Sequence, residues 1–150
     1  LNRYPKVAPS AFEIEILESA AIGKIDEAAK VIERCKALGV SVSLDDFGTG
    51  YAALDYLKRM PAQVLKIDQS FVRDMQRDDA DMAIVKGIIG LARAFGFDVI
   101  AEGVETPEQG RVLIEQGCYV GQGYSIARPM PAAELPQWLN TWKCPDGWHS

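Results

Sequence analysis

Val40-Ser41-Val42-Ser43-Leu44-Asp45-Asp46-Phe47-Gly48-Thr49-Gly50 is the stretch whose reading decides the fold. As far as Asp45 it alternates. Val40, Val42 and Leu44 fall on one face of an extended chain, and Ser41, Ser43 and Asp45 on the other. Two further runs repeat the pattern: Phe12, Ile14 and Ile16 oppose Glu13 and Glu15, while Leu65 and Ile67 oppose Lys66 and Asp68. Glu102 follows Ile100 by two residues and shares its face. An open doubly wound sheet is covered by helices on both faces and wants both apolar. One apolar and one partly polar face suits a barrel, with helices outside and the polar set directed to the interior and upper rim. A flat sheet with one wet face is the alternative.

Working outward, strand and helix patterns alternate. Strands are expected at Phe12–Ile16, Val40–Leu44, Val64–Ile67 and Val99–Ala101, with a fifth beginning at Tyr119–Val120. Helices are expected at Ile25–Leu38, Tyr51–Arg59 and Asp79–Phe95. Another opens at the capping box Thr106-Pro107-Glu108-Gln109 and ends at Gly117, and a last segment lies near Pro136–Trp142. Repeated strand–helix units imply an α/β fold with parallel strands and crossover helices. No linker divides them. The tail from Lys143 to Ser150 carries no structural signal.

The charge balance narrows the partners. With a net charge of −5 and no basic stripe, the chain is not expected to bind duplex nucleic acid. A small anionic ligand stays compatible, because bound metal can reverse the local field. No apolar run reaches the roughly 18 residues of a membrane span, and the N-terminus has no basic-then-apolar signal pattern. Cys35, Cys118 and Cys144 lie far apart without C-x-x-C spacing, which argues against a disulfide framework or a zinc knuckle. A reducing, cytoplasmic setting is expected.

On the barrel reading, Glu15, Asp45, Asp46, Lys66, Glu102 and Gln122 fall at or near the C-terminal ends of successive strands. That rim is where barrel enzymes place their chemistry. Converging carboxylates repel one another and resist desolvation, and a divalent cation relieves both costs. A carboxylate set without histidine points to Mg²⁺ or Mn²⁺ rather than zinc, and the one histidine, His149, lies in the tail. Two metals about 3.5–4 Å apart are a recurring solution for phosphoester cleavage. Lys66 could add charge there or hold the attacking water. The plainer reading is solvated strand ends or isolated ion pairs.

Four stretches together resemble the EAL domain, the bacterial phosphodiesterase domain for cyclic di-GMP. Glu15-Ile-Leu-Glu18-Ser19 is similar to its E-x-T-E-S motif, with Leu17 in place of the usual threonine. Leu44–Tyr51 matches its D-D-F-G-T-G loop, and Val64–Asp68 its K-I-D segment. Ile100–Thr106 and Gln122-Gly-Tyr124 match E-G-V-E and Q-G-Y. The resemblance runs from Phe12 to Pro131. It implies a TIM-type (β/α)₈ barrel that opens cyclic di-GMP to linear pGpG with two Mg²⁺ or Mn²⁺ ions. By position it makes Glu15, Asp45, Asp46 and Glu102 metal ligands. It puts Lys66 beside the nucleophilic water and Gln122 along the same centre, so that Lys66, Glu102 and Gln122 form the catalytic set. Glu18 and Glu105, with Gly48, Thr49 and Gly50, are assigned to anchoring the loop that follows Asp46 and links the metal site to dimerisation.

The Glu-Ala-Leu signature and the family's metal-binding asparagine are missing, and both are expected upstream of Leu1. A barrel of this type has eight strands and typically roughly 250 residues. Residues 1–150 are therefore read as a truncated EAL domain holding its last five βα units, with 143–150 as a tail. The isolated chain is expected to be weakly active or inactive. Two open sheet edges are expected to drive it into a homodimer or a strand-exchanged oligomer. The full-length protein could be membrane-tethered upstream. A degenerate EAL domain that senses cyclic di-GMP without cleaving it is the alternative function. A barrel lyase with Lys66 as Schiff-base nucleophile is disfavoured, because crowding carboxylates keep the amine protonated.

Overall fold

Strand and helix succeed one another along a computed structural model that describes residues 5–49 and 54–148. After a 3₁₀ turn at Pro9–Ala11 come β1 (Glu13–Leu17), α1 (Glu18–Ile22), α2 (Ile25–Ala37), β2 (Ser41–Phe47) and α3 (Leu54–Arg59). Then follow β3 (Val64–Ile67), α4 (Gln69–Asp74), α5 (Asp79–Phe95), β4 (Asp98–Ala101), α6 (Pro107–Glu115), β5 (Val120–Gly121) and α7 (Leu135–Thr141). The strands pair in parallel in the order β1-β2-β3-β4-β5. A doubly wound sheet reverses its order at a switch point. This sheet never does, so right-handed crossovers lay their helices on one face, as in an arc of a barrel. The open five-stranded parallel arc agrees with the partial (β/α) barrel read from strand alternation.

The apolar face carries the core. Val42, Leu44, Leu65 and Ile67 are fully buried against Ile32 of α2 and Val85, Ile88, Ile89 and Ala92 of α5. The longest helix, α5, shows how local sequence sets its bounds. Asp78 caps it by accepting from Ala80 N–H at 2.7 Å, and Gly96, in the left-handed conformation at φ 77°, stops it. The capping box at α6 forms as expected, and Gln109 also reaches sideways. Its amide nitrogen donates to the carbonyls of Val72 and Arg73, which ties α6 to α4. No helix among the described residues is long and apolar enough to cross a membrane.

Several expectations shift. β2 runs three residues beyond Leu44, because Asp45 still pairs with Leu17 and Phe47 with Ile67. α1 and α4 are short helices that periodicity alone does not reveal. The start of the expected Tyr51–Arg59 helix lies outside the described residues, and α3 begins at Leu54. The tail is not featureless. Trp148 Nε1 donates to the Pro107 carbonyl at 2.7 Å, and the indole covers Gly110, where any Cβ would overlap it.

Close packing of backbone on backbone gives a test. A Cβ on Gly123 would lie 2.3 Å from Val104 N and O, in a stretch pinned by Val104 N–H to Gln122 O and Ser125 N–H to Val104 O. Gly123→Ala is expected to lower the unfolding free energy by about 1–3 kcal/mol. Gly90→Ala, on α5 with nothing within 4 Å, should raise it by about 0.5–1 kcal/mol. Urea titration of both variants measures this; an unchanged midpoint for Gly123→Ala would contradict the packing.

Candidate active site

The polar face of the sheet begins as simple alternation. Glu15 pairs in register with Ser43, and Lys66 with Ile100, so these residues stand side by side above the strands. Alternation alone would then send Asp45 to this face and Asp46 to the helix side. A bulge prevents it. Between Leu44↔Leu65 and Phe47↔Ile67, β2 advances three residues while β3 advances two. The extra residue is taken up at Asp46, whose φ of 54° makes it the one described non-glycine with positive φ. Aspartate tolerates this region better than most side chains, at a cost of about 1–3 kcal/mol. Phe47 returns to the core, 4% exposed, and both aspartates turn toward the polar face.

Three carboxylates converge as a result. Asp45, Asp46 and Glu102 each offer an oxygen, and these all lie within 4.8 Å of one another. Lys66 sits among them, only 2% exposed. Its Nζ lies 2.6 Å from Glu15 Oε1, 2.6 Å from Glu102 Oε1 and 3.0 Å from Asp45 Oδ1. Burial by itself would lower the lysine pKa, but the facing carboxylates of Glu102, Glu15 and Asp45 outweigh it and raise the pKa above the ordinary value. Burial pushes the Glu102 carboxyl up against the opposing pull of Lys66. Burial, then the charge of Asp45, then the neighbouring Asp68 carboxyl, raise that of Asp46.

The remaining expected residues group around this centre. Gln122 Nε2 donates to Glu102 Oε1 at 2.7 Å and orients it. Glu18, 1% exposed, accepts from Gly48 N–H at 2.9 Å. Gly48 is required there: its φ is 102°, and a Cβ would meet Ile88 at 2.9 Å and Phe71 at 3.1 Å. Thr49 Oγ1 donates to the Asp46 carbonyl at 2.9 Å and closes the turn. Gly50 lies outside the described residues. Glu15 reaches the cluster through Lys66 and is not one of the three convergent carboxylates. The Glu105 side chain makes no hydrogen bond to Gly48 or Thr49 among the described residues and lines a cleft beside Gln122.

Asp68 is the residue that site reasoning from sequence passes over. Its carboxylate accepts from Ser70 N–H at 2.9 Å and from the Ser70 hydroxyl, capping α4, while it also adjoins Asp46. The signal was available: Asp68 shares a strand face with Lys66, and Asp-x-Ser is a capping pattern.

The donor set fits a hard divalent cation. Glu15, Asp45, Asp46 and Glu102 face a single ammonium, which leaves a large negative excess. Asp45 Oδ1 is buried without an aligned hydrogen-bond donor, and its close cation is Lys66. Oxygen ligands alone suit Mg²⁺ or Mn²⁺.

The EAL domain family model matches residues 1–129. The chain is 43% identical over 137 residues to the cyclic di-GMP phosphodiesterase NbdA of Pseudomonas aeruginosa, which covers 91% of this chain and 18% of that protein. Among solved structures it is similar to the PaMucR phosphodiesterase in its c-di-GMP complex. There the TM-score is 0.83 at 44% identity, covering 87% of this chain and 53% of that one. It is also similar to Klebsiella pneumoniae BlrP1 in a manganese/cy-diGMP complex, with TM-score 0.76 and 33% identity, covering 83% of this chain and 32% of that one. The chain thus spans 18% of the length of its curated relative and 53% or less of these two solved chains.

Lys66 supplies the charge that lets these carboxylates pack together. Lys66→Met should cost about 3–5 kcal/mol in metal-free buffer, the usual effect of removing one partner from a buried ion cluster. The urea midpoint measures it; a loss below about 1 kcal/mol, the range of exposed pairs, would mean that solvent already neutralises the cluster.

Proposed function

The chain belongs to the EAL domain family, and on that premise we propose that it carries the C-terminal part of a site that hydrolyses cyclic di-GMP to linear pGpG. The convergence of the Asp45, Asp46 and Glu102 carboxylates about Lys66 carries this reading. Relatives named as cyclic di-GMP phosphodiesterases support the substrate.

Asp45, Asp46 and Glu102 would hold a divalent cation directly, with Glu15 as a further ligand. The full set for two Mg²⁺ or Mn²⁺ ions would include a glutamate and an asparagine from the upstream strands of the family barrel. Such cations supply Lewis-acid stabilisation of phosphate charge and a more acidic water; the manganese complex of BlrP1 supports the choice. Gln122 fixes the orientation of Glu102 through its 2.7 Å hydrogen bond. Lys66, kept protonated by its carboxylates, cannot attack a carbonyl or take up a proton. Its role is to donate hydrogen bonds to the attacking water or to the phosphoryl oxygens and to steady the charge that develops there. Glu18 and the Gly48 amide hold the turn that follows the two aspartates.

The sheet edges bear on assembly. On β1, Ile14 is 43% and Leu17 47% exposed, and at β5 Val120 is 56% exposed. Further strands, from an upstream segment of the polypeptide or from a second copy, would cover these edges.

Hydrolysis is measured on the 150 residues and on a polypeptide extended upstream through the remaining strands, each with cyclic di-GMP and Mg²⁺ or Mn²⁺, and each sedimented in the same buffer. The extended protein is expected to release pGpG. Glu102→Ala should slow it by more than the roughly 100-fold that losing an outer-shell partner costs. The 150 residues alone are expected to be weakly active or inactive and to sediment as oligomers. Tight binding without cleavage by the extended protein would establish a sensor instead, and a stable monomer of the 150 residues would contradict the edge-pairing proposal.

A further inference from the structure

After its last helix the chain turns back onto the sheet. Trp148 N–H donates to the Pro145 carbonyl at 3.2 Å, and Gly147, at φ 84°, is the third residue of the turn this closes. A β-turn with positive φ at its third residue calls for glycine there. The turn lies beyond residue 129, where the match to the family ends. It aims the indole at the first turn of α6. Trp148 Nε1 donates to the Pro107 carbonyl at 2.7 Å. The ring lies so close over Gly110 that a Cβ there would overlap it, so the glycine forms the floor of an indole-shaped slot.

The indole presses toward the strand beside the candidate site. With Val104, Leu113, Cys118, Val120 and Gly121 it lines an apolar cleft of about 40 Å³ between α6 and β5. β5 has two residues and pairs with β4 only at Val120 and Gly121. Strands usually have at least three residues, so a ladder this short depends on contacts outside it. Val104 joins the two sides: its side chain is buried, and its N–H donates to the Gln122 carbonyl at 3.0 Å. Gln122 follows Gly121 directly, and its amide orients Glu102 at 2.7 Å. From the indole to a candidate metal ligand the path therefore runs through Val104 and Gly121 to Gln122.

We propose that Trp148 is a positioning residue for the Glu102–Gln122 pair: seated on Gly110, it wedges α6 against β5 and keeps the Gln122 amide on the Glu102 carboxylate. This deepens the phosphodiesterase reading and rests on it. An indole that only filled a surface groove would add stability and leave the carboxylate unaffected.

The test uses the full-length protein in which these residues occur. Mn²⁺ dissociation constants are measured by electron paramagnetic resonance, with thermal melts alongside. The series is the wild type, Trp148→Ala, Trp148→Phe, Gly110→Ala, Gln122→Ala and Trp148→Ala combined with Gln122→Ala. Trp148→Ala is expected to weaken Mn²⁺ binding by roughly tenfold, the lower end of what losing an outer-shell partner costs. Gly110→Ala should do the same, although alanine favours the helix, because it fills the slot. Trp148→Phe, which keeps an aromatic ring and loses the donor, should lose less. In the Gln122→Ala background Trp148→Ala should add nothing, because the two act in series. In turnover, kcat should fall with KM for cyclic di-GMP little changed. Where Trp148→Ala does not fold, Gly110→Ala and Trp148→Phe carry the same comparison. Lower melting temperatures with unchanged Mn²⁺ affinity, or a full further loss in the Gln122→Ala background, would overturn the positioning role and leave the phosphodiesterase reading standing. A wild type that binds Mn²⁺ but releases no pGpG would overturn that reading, while the manganese series still decides the role of Trp148. A wild type that binds no Mn²⁺ would overturn both.

Discussion

A single buried ammonium holds the functional end of this sheet together. Lys66 lies within 3.0 Å of carboxylate oxygens from three other strand ends, those of Glu15, Asp45 and Glu102. Without it the strands could keep their apolar contacts, but their tips would carry unscreened like charges in a desolvated interior. Such repulsion would force the carboxylates apart or protonate them. One lysine does not neutralise the group. The residual negative charge at the strand ends matches the chemistry of a divalent cation.

Charge balance alone would not bring Asp45 and Asp46 to the same side. Two neighbouring residues of a regular strand point opposite ways, so an adjacent pair is useful to one cation only where the strand is interrupted. The bulge between Leu44 and Phe47 supplies that interruption. Its strain, taken up by Asp46 at positive φ, is offset by the packing around it. Phe47 goes back into the core, and Gly48 fits between Phe71 and Ile88 while its amide is held by Glu18. Backbone geometry, core packing and the electrostatics of the site thus meet in four consecutive residues.

The sequence makes part of this legible. Period-two alternation marks Glu15, Asp45 and Lys66 as neighbours on a polar face, and the spacing of Glu102 and Gln122 puts them on the next two strands. The long helix at Asp79–Phe95 and the capping box at Thr106 are written in local residues and form within the expected bounds. What stays hidden depends on partners. A bulge exists only relative to the register of the neighbouring strand, so the sequence of β2 alone cannot show that Asp46 turns inward. The six residues of α4 are too few for a periodic signal. Trp148 docks on Gly110 and the Pro107 carbonyl some forty residues away in the chain, a contact with no local signature. Resemblance groups Glu105 with the loop, and the cleft that its side chain lines beside Gln122 has no signature in the sequence.

On the proposed function, the bulged strand end holds a divalent cation through Asp45, Asp46 and Glu102. Anomalous diffraction from a crystal of the full-length protein equilibrated with Mn²⁺ tests it most directly. A manganese peak within direct coordination distance of the Asp45, Asp46 and Glu102 carboxylates, with Lys66 moved no farther than the edge of the cluster, is the predicted result. A cluster bridged by Lys66 alone, with manganese absent from these three carboxylates at saturating concentration, would contradict it.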